Sequence, residues 1–262
     1  MREYREGRTV KFPRARSKRR VDLKAVMPSI SAIFSFLHVR WATGRSHVRF
    51  HRFCQALLCP WVLLALLPSN ALDGPRLMAS AQRIGPQAVQ RTQALLKEMA
   101  QAGDEDVARL KAINGFFNRQ VQYSEDREVW GEVDRWTTPL ELLGRGAGDC
   151  EDFAIAKYFS LISMGMSPAK MRMVYVRAQN GGVVQAHMVL AYYSEPDAEP
   201  LILDNLITDI RPASRRPDLA PVFSFNAEGL WQGVGPSAAG DPVARLSRWR
   251  DVLNKAKTEG WW

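Results

Sequence analysis

A single cysteine and a single histidine follow residue 71, a combination that points to thiol chemistry. Cys150 comes after the glycine-rich stretch 144–148 and opens a long apolar run. Because glycine loses the most backbone freedom on ordering, this stretch predicts a loop, and we expect a helix to begin at Asp149 or Cys150. Unpaired N–H groups in the first turn of a helix favour a thiolate and can receive an oxyanion. A buried structural cysteine is the alternative interpretation.

His187 and Asp204 are the candidate partners of this cysteine. A thiol nucleophile needs an imidazole to share its proton, and a carboxylate fixes the tautomer of that imidazole. His187 falls in the middle of one predicted strand, and Asp204 closes the next. Adjacent antiparallel strands would place the two side by side, facing the N-terminus of the cysteine helix. A histidine in a strand is also common in cores and on surfaces, and Asp204 followed by Asn205 also fits an ordinary turn.

Three acidic residues surround the cysteine: Asp149, Glu151 and Asp152. Repulsion from their charges should raise the pKa of the thiol, and a divalent cation bound by their oxygens would restore its reactive form. Acids at a helix N-terminus also interact favourably with the helix dipole and need no metal for this. A calcium shell of about 6–8 oxygens would need further ligands, such as backbone carbonyls, water or Asp134.

The periodicity of the sequence predicts helices first and a sheet afterwards. The predicted helices cover 86–102, 104–119, a short segment from the capping box at Thr138, the cysteine segment and 242–257. The predicted strands cover 171–177, 183–193, 201–204 and 221–226. This order indicates an α+β fold in which the cysteine helix packs on an antiparallel sheet.

The first 71 residues have the composition of a basic leader followed by a secretory signal peptide. They contain 14 basic and 3 acidic residues, whereas residues 72–262 contain 22 basic and 24 acidic residues. Since the positive charge belongs to the leader, we expect no nucleic-acid partner. The uncharged run 56–67 is short for a membrane span, and the small residues Ser69 and Ala71 follow it. We therefore predict a leader at 1–71 and one domain at 72–262; Met27 as the start and an uncleaved anchor are alternatives.

Several motifs resemble those of the bacterial transglutaminase-like cysteine proteinases of the LapG type. They are Gly-Asp-Cys-Glu-Asp-Phe-Ala at 148–154, Ala-His-Met-Val-Leu at 186–190, Leu-Asp-Asn at 203–205 and Trp-Thr-Thr-Pro at 136–139. The likeness covers about residues 90–235. It implies a papain-like, transglutaminase-like fold with the cysteine helix against an antiparallel sheet.

The same resemblance implies roles for the candidate residues. Cys150 would be the nucleophile, His187 the general base and later acid, and Asp204 the orienting residue. The family's calcium-binding acids correspond to the three acidic residues around the cysteine, which implies Ca²⁺ as a cofactor.

The resemblance also implies a biological role. Members of the family cut giant surface adhesins near an N-terminal retention module, after paired alanines, and so release cells from a biofilm. An inner-membrane receptor that senses cyclic di-GMP holds them inactive. We therefore expect a calcium-dependent cysteine endopeptidase exported to the periplasm. A transglutaminase-like acyl transferase and a non-catalytic calcium-dependent binding module are the alternatives.

Overall fold

A computed structural model describes residues 72–235 and 238–262 of the chain. The leader and signal peptide predicted for residues 1–71 lie outside this range. Among the helices of the described residues, none is long and apolar enough to cross a membrane.

Helices form the first half of the described chain and also its last segment. In the described residues the α-helices are α1 (Gly74–Ile84), α2 (Pro86–Gln101), α3 (Asp106–Gln120), α4 (Asp126–Val129), α5 (Pro139–Arg145), α6 (Cys150–Ser163), α7 (Pro242–Arg245) and α8 (Ser247–Glu259). The sequence pattern predicted α2, α3, α5 and α6 but not α1. The capping box expected at Thr138 is present, with its hydroxyl and Glu141 bonding each other's backbone N–H groups.

The prediction of a single helix over 242–257 is wrong in one respect, because this segment forms two helices. Leu246 separates α7 from α8 with φ −115° and ψ 89°, which lie outside the helical region. The side chains of Leu246 and Arg248 line the large cleft described below. The break therefore lets the C-terminal segment contribute to the functional surface.

Seven of the nine strands in the described residues lie between α6 and α7. In the described residues they are β1 (Gln122–Tyr123), β2 (Ala147–Gly148), β3 (Met171–Asn180), β4 (Val183–Tyr192), β5 (Leu201–Leu203), β6 (Arg211–Pro212), β7 (Leu219–Phe225), β8 (Leu230–Gln232) and β9 (Ala238–Gly240). The large sheet has the order β6-β5-β4-β3-β7-β8-β9, and its neighbouring strands are antiparallel. Strands β1 and β2 form a separate parallel pair. Gly181 and Gly182, both with positive φ, make the predicted tight turn between β3 and β4.

Helix α6 packs on one face of the large sheet. Its buried side chains belong to the same apolar cluster as Met173, Met188 and Leu190. Alternate residues of the same two strands, including Val174 and Val189, form a second cluster on the other face. The predicted α+β fold, with the cysteine helix packed on an antiparallel sheet, is confirmed.

Candidate active site

The start of α6 places Cys150 in the first turn of a buried helix. Asp149 is the N-cap residue, and its backbone N–H donates to Oδ2 of Asp152 at 3.4 Å. Oδ1 of Asp152 accepts from the N–H of Thr137 at 2.9 Å and from its hydroxyl at 2.6 Å. A Cβ on Gly148 would lie 2.5 Å from Oδ2 of Asp152. A side chain at position 148 would therefore collide with the carboxylate of Asp152, whose hydrogen bonds fix where α6 begins.

His187 and Asp204 are joined directly by a hydrogen bond. Nε2 of His187 lies 2.7 Å from Oδ1 of Asp204, and both side chains are buried. Oδ1 also accepts the N–H of Leu206 at 3.0 Å, and Oδ2 accepts from Nη2 of Arg216 at 2.7 Å. Burial alone would raise the pKa of Asp204, but the contacts with His187, Leu206 and Arg216 hold it below its usual range. Asp204 is therefore ionised.

The ionised carboxylate of Asp204 determines the tautomer of His187. An ionised carboxylate only accepts hydrogen bonds, so the proton of the neutral imidazole lies on Nε2. Nδ1 then keeps its lone pair and can take up a proton. The register of the sheet explains the meeting of the two residues, because Leu190 of β4 pairs with Leu203 of β5 and Asp204 follows directly.

Cys150 and His187 line the same cleft, which has a volume of about 550 Å³. The thiol of Cys150 donates to Oε2 of Glu151 at 3.1 Å. Burial first, and then the charges of Glu151 and Asp149, raise the pKa of the Cys150 thiol above its usual range. With these carboxylates uncompensated, the sulfur holds its proton.

The acids near Cys150 fall into overlapping groups. Asp149 and Asp152 lie with Asp126, whereas Glu151 lies with Asp126 and Asp134; in each group the ligand oxygens are within 4.8 Å of one another. Burial and repulsion from neighbouring carboxylates raise the pKa of Asp149 to about 10. Burial also raises the pKa of Asp152 to about 7, although its hydrogen bonds from Thr137 oppose the shift. The cluster is therefore short of positive charge.

These groups have the chemistry of a site for a hard cation. Oδ1 of Asp126 and Oδ1 of Asp149 are buried and have no hydrogen-bond partner among the described residues. Carboxylate oxygens that crowd together are the ligands that Ca²⁺ prefers. The residues present fit the predicted cation, and Asp126 joins the predicted acids as a candidate ligand. No local sequence signal links Asp126 to Cys150, because the two lie far apart along the chain.

The walls of the cleft differ in chemistry. Trp136, Tyr175 and Phe223 give it an aromatic side, and the last two rings stack with centroids 5.1 Å apart. Arg248 and Asp134 also line the cleft and form an ion pair at 3.2 Å. Apolar rings beside charged groups suit a polypeptide, which presents both side chains and polar backbone.

Lys157 of α6 is a buried lysine whose contact the sequence pattern did not reveal. Its Nζ donates to the backbone carbonyl of Asp204 at 3.1 Å, and Nδ2 of Asn118 donates to the same oxygen at 2.8 Å. Burial lowers the pKa of Lys157 to about 7, against the opposing charge of Asp204. In the sequence Lys157 has the position of a polar edge of the helix, but in the structure this residue is buried.

Replacing Lys157 with methionine is expected to stabilise the fold most at low pH. From about pH 7 up to the ordinary lysine pKa of 10.5, the unfolded chain holds a proton that the folded amine has lost. Wild-type stability therefore rises with pH across this window, and the variant lacks the rise. The variant's advantage is expected to be on the order of 1–4 kcal/mol near pH 6 and to shrink toward pH 10. Urea unfolding at several pH values measures it.

The exposed Lys111 offers a matched control for this measurement. Lys111→Met removes the same charge from the surface, so its effect on the free energy of unfolding should be small at each pH. An effect of Lys157→Met that is constant with pH would contradict the assignment of a titrating buried amine.

Comparison with known proteins agrees with this geometry. Residues 86–218 match the family described as bacterial transglutaminase-like cysteine proteinase, BTLCP. The EGTA-treated structure of Legionella pneumophila LapG is 38% identical, with a TM-score of 0.62, over 69% of this chain and 96% of that chain. The calcium-bound structure of Legionella pneumophila LapG is 36% identical, with a TM-score of 0.59, over 69% of this chain and 97% of that chain.

No protein with a curated description matches the chain. The matched segment nevertheless includes Cys150, His187 and Asp204, and the similarity to LapG spans nearly the whole of that protein. The chain belongs to the bacterial transglutaminase-like cysteine proteinases and is a cysteine protease.

Proposed function

We propose that this protein is a calcium-dependent periplasmic cysteine endopeptidase that cleaves the N-terminal region of a large surface adhesin. Cleavage there releases the adhesin and promotes dispersal of a biofilm. The observation that carries the proposal is the cleft that Cys150, at the N-terminus of α6, shares with His187, whose imidazole is hydrogen-bonded to Asp204. The leader at 1–71 exports the chain, and residues 72–262 carry out the reaction.

The first half of the reaction forms an acyl-enzyme. Nδ1 of His187 takes the proton of the Cys150 thiol, and the sulfur attacks the carbonyl carbon of the scissile peptide. The carbonyl oxygen becomes an oxyanion, and the backbone N–H of Cys150, in the first turn of α6, is the donor that receives it. When the C–N bond breaks, the imidazolium returns its proton to the leaving amine. Asp204 stabilises the imidazolium while it exists.

The second half hydrolyses the acyl-enzyme. His187 takes a proton from a water molecule, and the resulting nucleophile attacks the thioester carbon. The C–S bond breaks, the sulfur recovers the proton from the imidazolium, and the carboxylic acid leaves. An amine in place of water would give acyl transfer, so analysis of product masses distinguishes a protease from a transglutaminase-like enzyme.

The acidic cluster supports calcium dependence of this chemistry. Asp149, Glu151 and Asp152 would hold the ion, with Asp126 and Asp134 as additional ligands. Bound Ca²⁺ would supply positive charge that compensates the carboxylates and removes their repulsion from the thiolate of Cys150. A calcium-bound structure of L. pneumophila LapG, which is 36% identical to this chain, agrees with this assignment.

The proposed substrate and regulator follow from the family rather than from the site alone. A large adhesin presents an extended polypeptide, and the cleft has the size and mixed chemistry to take one. An inner-membrane receptor that senses cyclic di-GMP would hold the protease inactive. Binding of that receptor in place of the adhesin would link proteolysis to the intracellular signal.

Chelation of calcium tests the proposal most directly. The full chain is incubated with the N-terminal region of a large adhesin encoded beside it, in calcium or in EGTA. We expect cleavage in calcium, a fall of about 100-fold in EGTA, and recovery on adding excess calcium, because each unit rise in a thiol's pKa lowers its thiolate population tenfold.

A matched pair of ions makes this experiment specific. Magnesium in place of calcium should restore less activity, since Mg²⁺ requires a small octahedral site and loses its water reluctantly. Glu105→Gln removes an exposed carboxylate outside the cluster and should leave the calcium response unchanged. Equal rates in calcium and EGTA would contradict a required ion, and absence of cleavage under every condition would contradict the proposed substrate.

A further inference from the structure

Arg216 is a buried arginine that belongs to none of the predicted sets of site residues. It follows a 3-10 turn, Ala213–Arg215, and precedes β7. It is only 3% exposed and lies against the second apolar cluster, on the face of the sheet away from α6. A charged side chain is rarely buried to this extent unless it is paired, so its partners indicate its role.

The guanidinium of Arg216 contacts two carboxylates. Nη2 donates to Oδ2 of Asp204 at 2.7 Å and to Oδ2 of Asp218 at 2.8 Å. Nε donates to Oδ1 of Asp218 at 3.0 Å. The side chain of Asp218 is 28% exposed, whereas that of Asp204 is fully buried. The contact with Asp204 is therefore the one that water cannot replace.

The two oxygens of Asp204 are divided between two neighbours. Oδ1 serves the catalytic side through His187 and the N–H of Leu206, and Oδ2 serves Arg216. A carboxylate held at both oxygens cannot rotate without losing a buried hydrogen bond. Loss of such a partner typically costs more than the bond itself contributes, because the group left behind stays desolvated.

Charge gives the same contact a second effect. Burial favours the neutral form of Asp204, the contacts with His187 and Leu206 oppose this, and the hydrogen bond from Arg216 adds to them. A protonated Asp204 would be able to donate a proton to His187, and the imidazole would then lose its preference for the Nε2–H tautomer. Arg216, on the far face of the sheet, thus helps to keep Asp204 as a hydrogen-bond acceptor for His187.

We propose that Arg216 is a positioning residue for catalysis, which holds the carboxylate of Asp204 in the orientation that fixes His187. This inference rests on the proposed function of His187 and Asp204. Arg216 acts through Asp204 and is not among the residues that line the cleft. If Arg216 had only a structural role, its hydrogen bonds to Asp218 would stabilise the turn before β7, and its removal would leave the imidazole of His187 unaffected.

The inference is tested with Arg216→Gln in the full chain, in calcium. We expect kcat for the adhesin fragment to fall about 100-fold with little change in KM, as is typical when a catalytic group is misplaced. We also expect the acidic limb of the pH profile to move to higher pH, because the pKa of Asp204 rises when the neighbouring cation is lost. In ¹⁵N-edited NMR spectra the Nε2–H signal of His187, assigned by its absence in His187→Gln, should weaken or shift.

Two further variants complete the test. Arg211→Gln removes a neighbouring arginine paired with the exposed Asp209, and it should change neither kcat nor the NMR signal. Arg216→Lys keeps the charge but not the planar fork, so kcat should fall by about tenfold. If Arg216→Gln does not fold, Arg216→Lys decides the matter. Wild-type kcat together with a wild-type His187 signal, in a folded variant, would overturn the inference.

The measurements separate this inference from the proposed function. If Asp204→Asn leaves cleavage unchanged, the proposed roles of His187 and Asp204 are wrong, and the NMR signal alone judges the contact with Arg216. If Asp204→Asn lowers kcat and Arg216→Gln does not, only the role of Arg216 is wrong.

Discussion

Cys150→Ala is expected to lower the rate of adhesin cleavage by about 10⁶-fold, the loss seen when a protease nucleophile is removed. In the proposed mechanism the sulfur forms the acyl-enzyme, and no other thiol lies in residues 72–262 to replace it. Alanine suits the first turn of a helix and leaves the cap at Asp149 in place. Cleavage is followed by product mass, and the thermal midpoint shows whether the fold is retained.

The same variant separates catalysis from binding. An enzyme without its nucleophile should still bind the adhesin fragment, because the aromatic wall of Trp136, Tyr175 and Phe223 is unchanged. Loss of cleavage with binding retained is therefore the expected result. Cys150→Ala that cleaves at the wild-type rate would contradict a thiol mechanism and would favour a non-catalytic module with a contaminating protease.

Asp204→Asn is expected to lower kcat by about 10⁴-fold, the loss seen when a triad histidine is held in the wrong tautomer. An amide has one oxygen and one NH₂ group, whereas the wild-type carboxylate accepts from His187 on one side and Arg216 on the other. If the amide oxygen faces His187, its NH₂ meets the donor Arg216. If the oxygen faces Arg216, the NH₂ donates to Nε2 and forces the proton of His187 onto Nδ1.

The control for this variant is Asp209→Asn. Asp209 carries the same chemical change at a side chain that is 76% exposed, so its effect on kcat should be within about twofold. The tautomer of His187 is read from its ¹⁵N shifts in both variants. An Asp204→Asn enzyme with wild-type kcat would show that the hydrogen bond between His187 and Asp204 has no role in the reaction.

Local signals in the sequence predicted much of the site. The glycine loop and the acid-rich first turn predicted where α6 begins, and the capping box at Thr138 predicted α5. The sequence pattern predicted the two strands that carry His187 and Asp204, and the antiparallel pairing of β4 with β5 is why the two residues meet. Each of these features depends on residues that are close in sequence, or on pairing between consecutive strands.

Contacts between distant segments could not be predicted. Nothing in the sequence around Arg216 distinguishes it from an ordinary loop residue. Its burial depends on the turn that precedes it. Asp126 joins the acidic cluster only because the parallel pair of β1 and β2 brings its segment beside Cys150. The break at Leu246 has no glycine or proline signal, and a break without one is invisible to helical periodicity.

The outer strands of the large sheet, β6 and β9, are only two and three residues long. Pro212 in β6 has no N–H to donate, which removes one hydrogen-bond donor from that strand. Outer strands this short leave little backbone at the two ends of the sheet for an incoming strand. Addition of an extended chain at either end of the large sheet is therefore disfavoured.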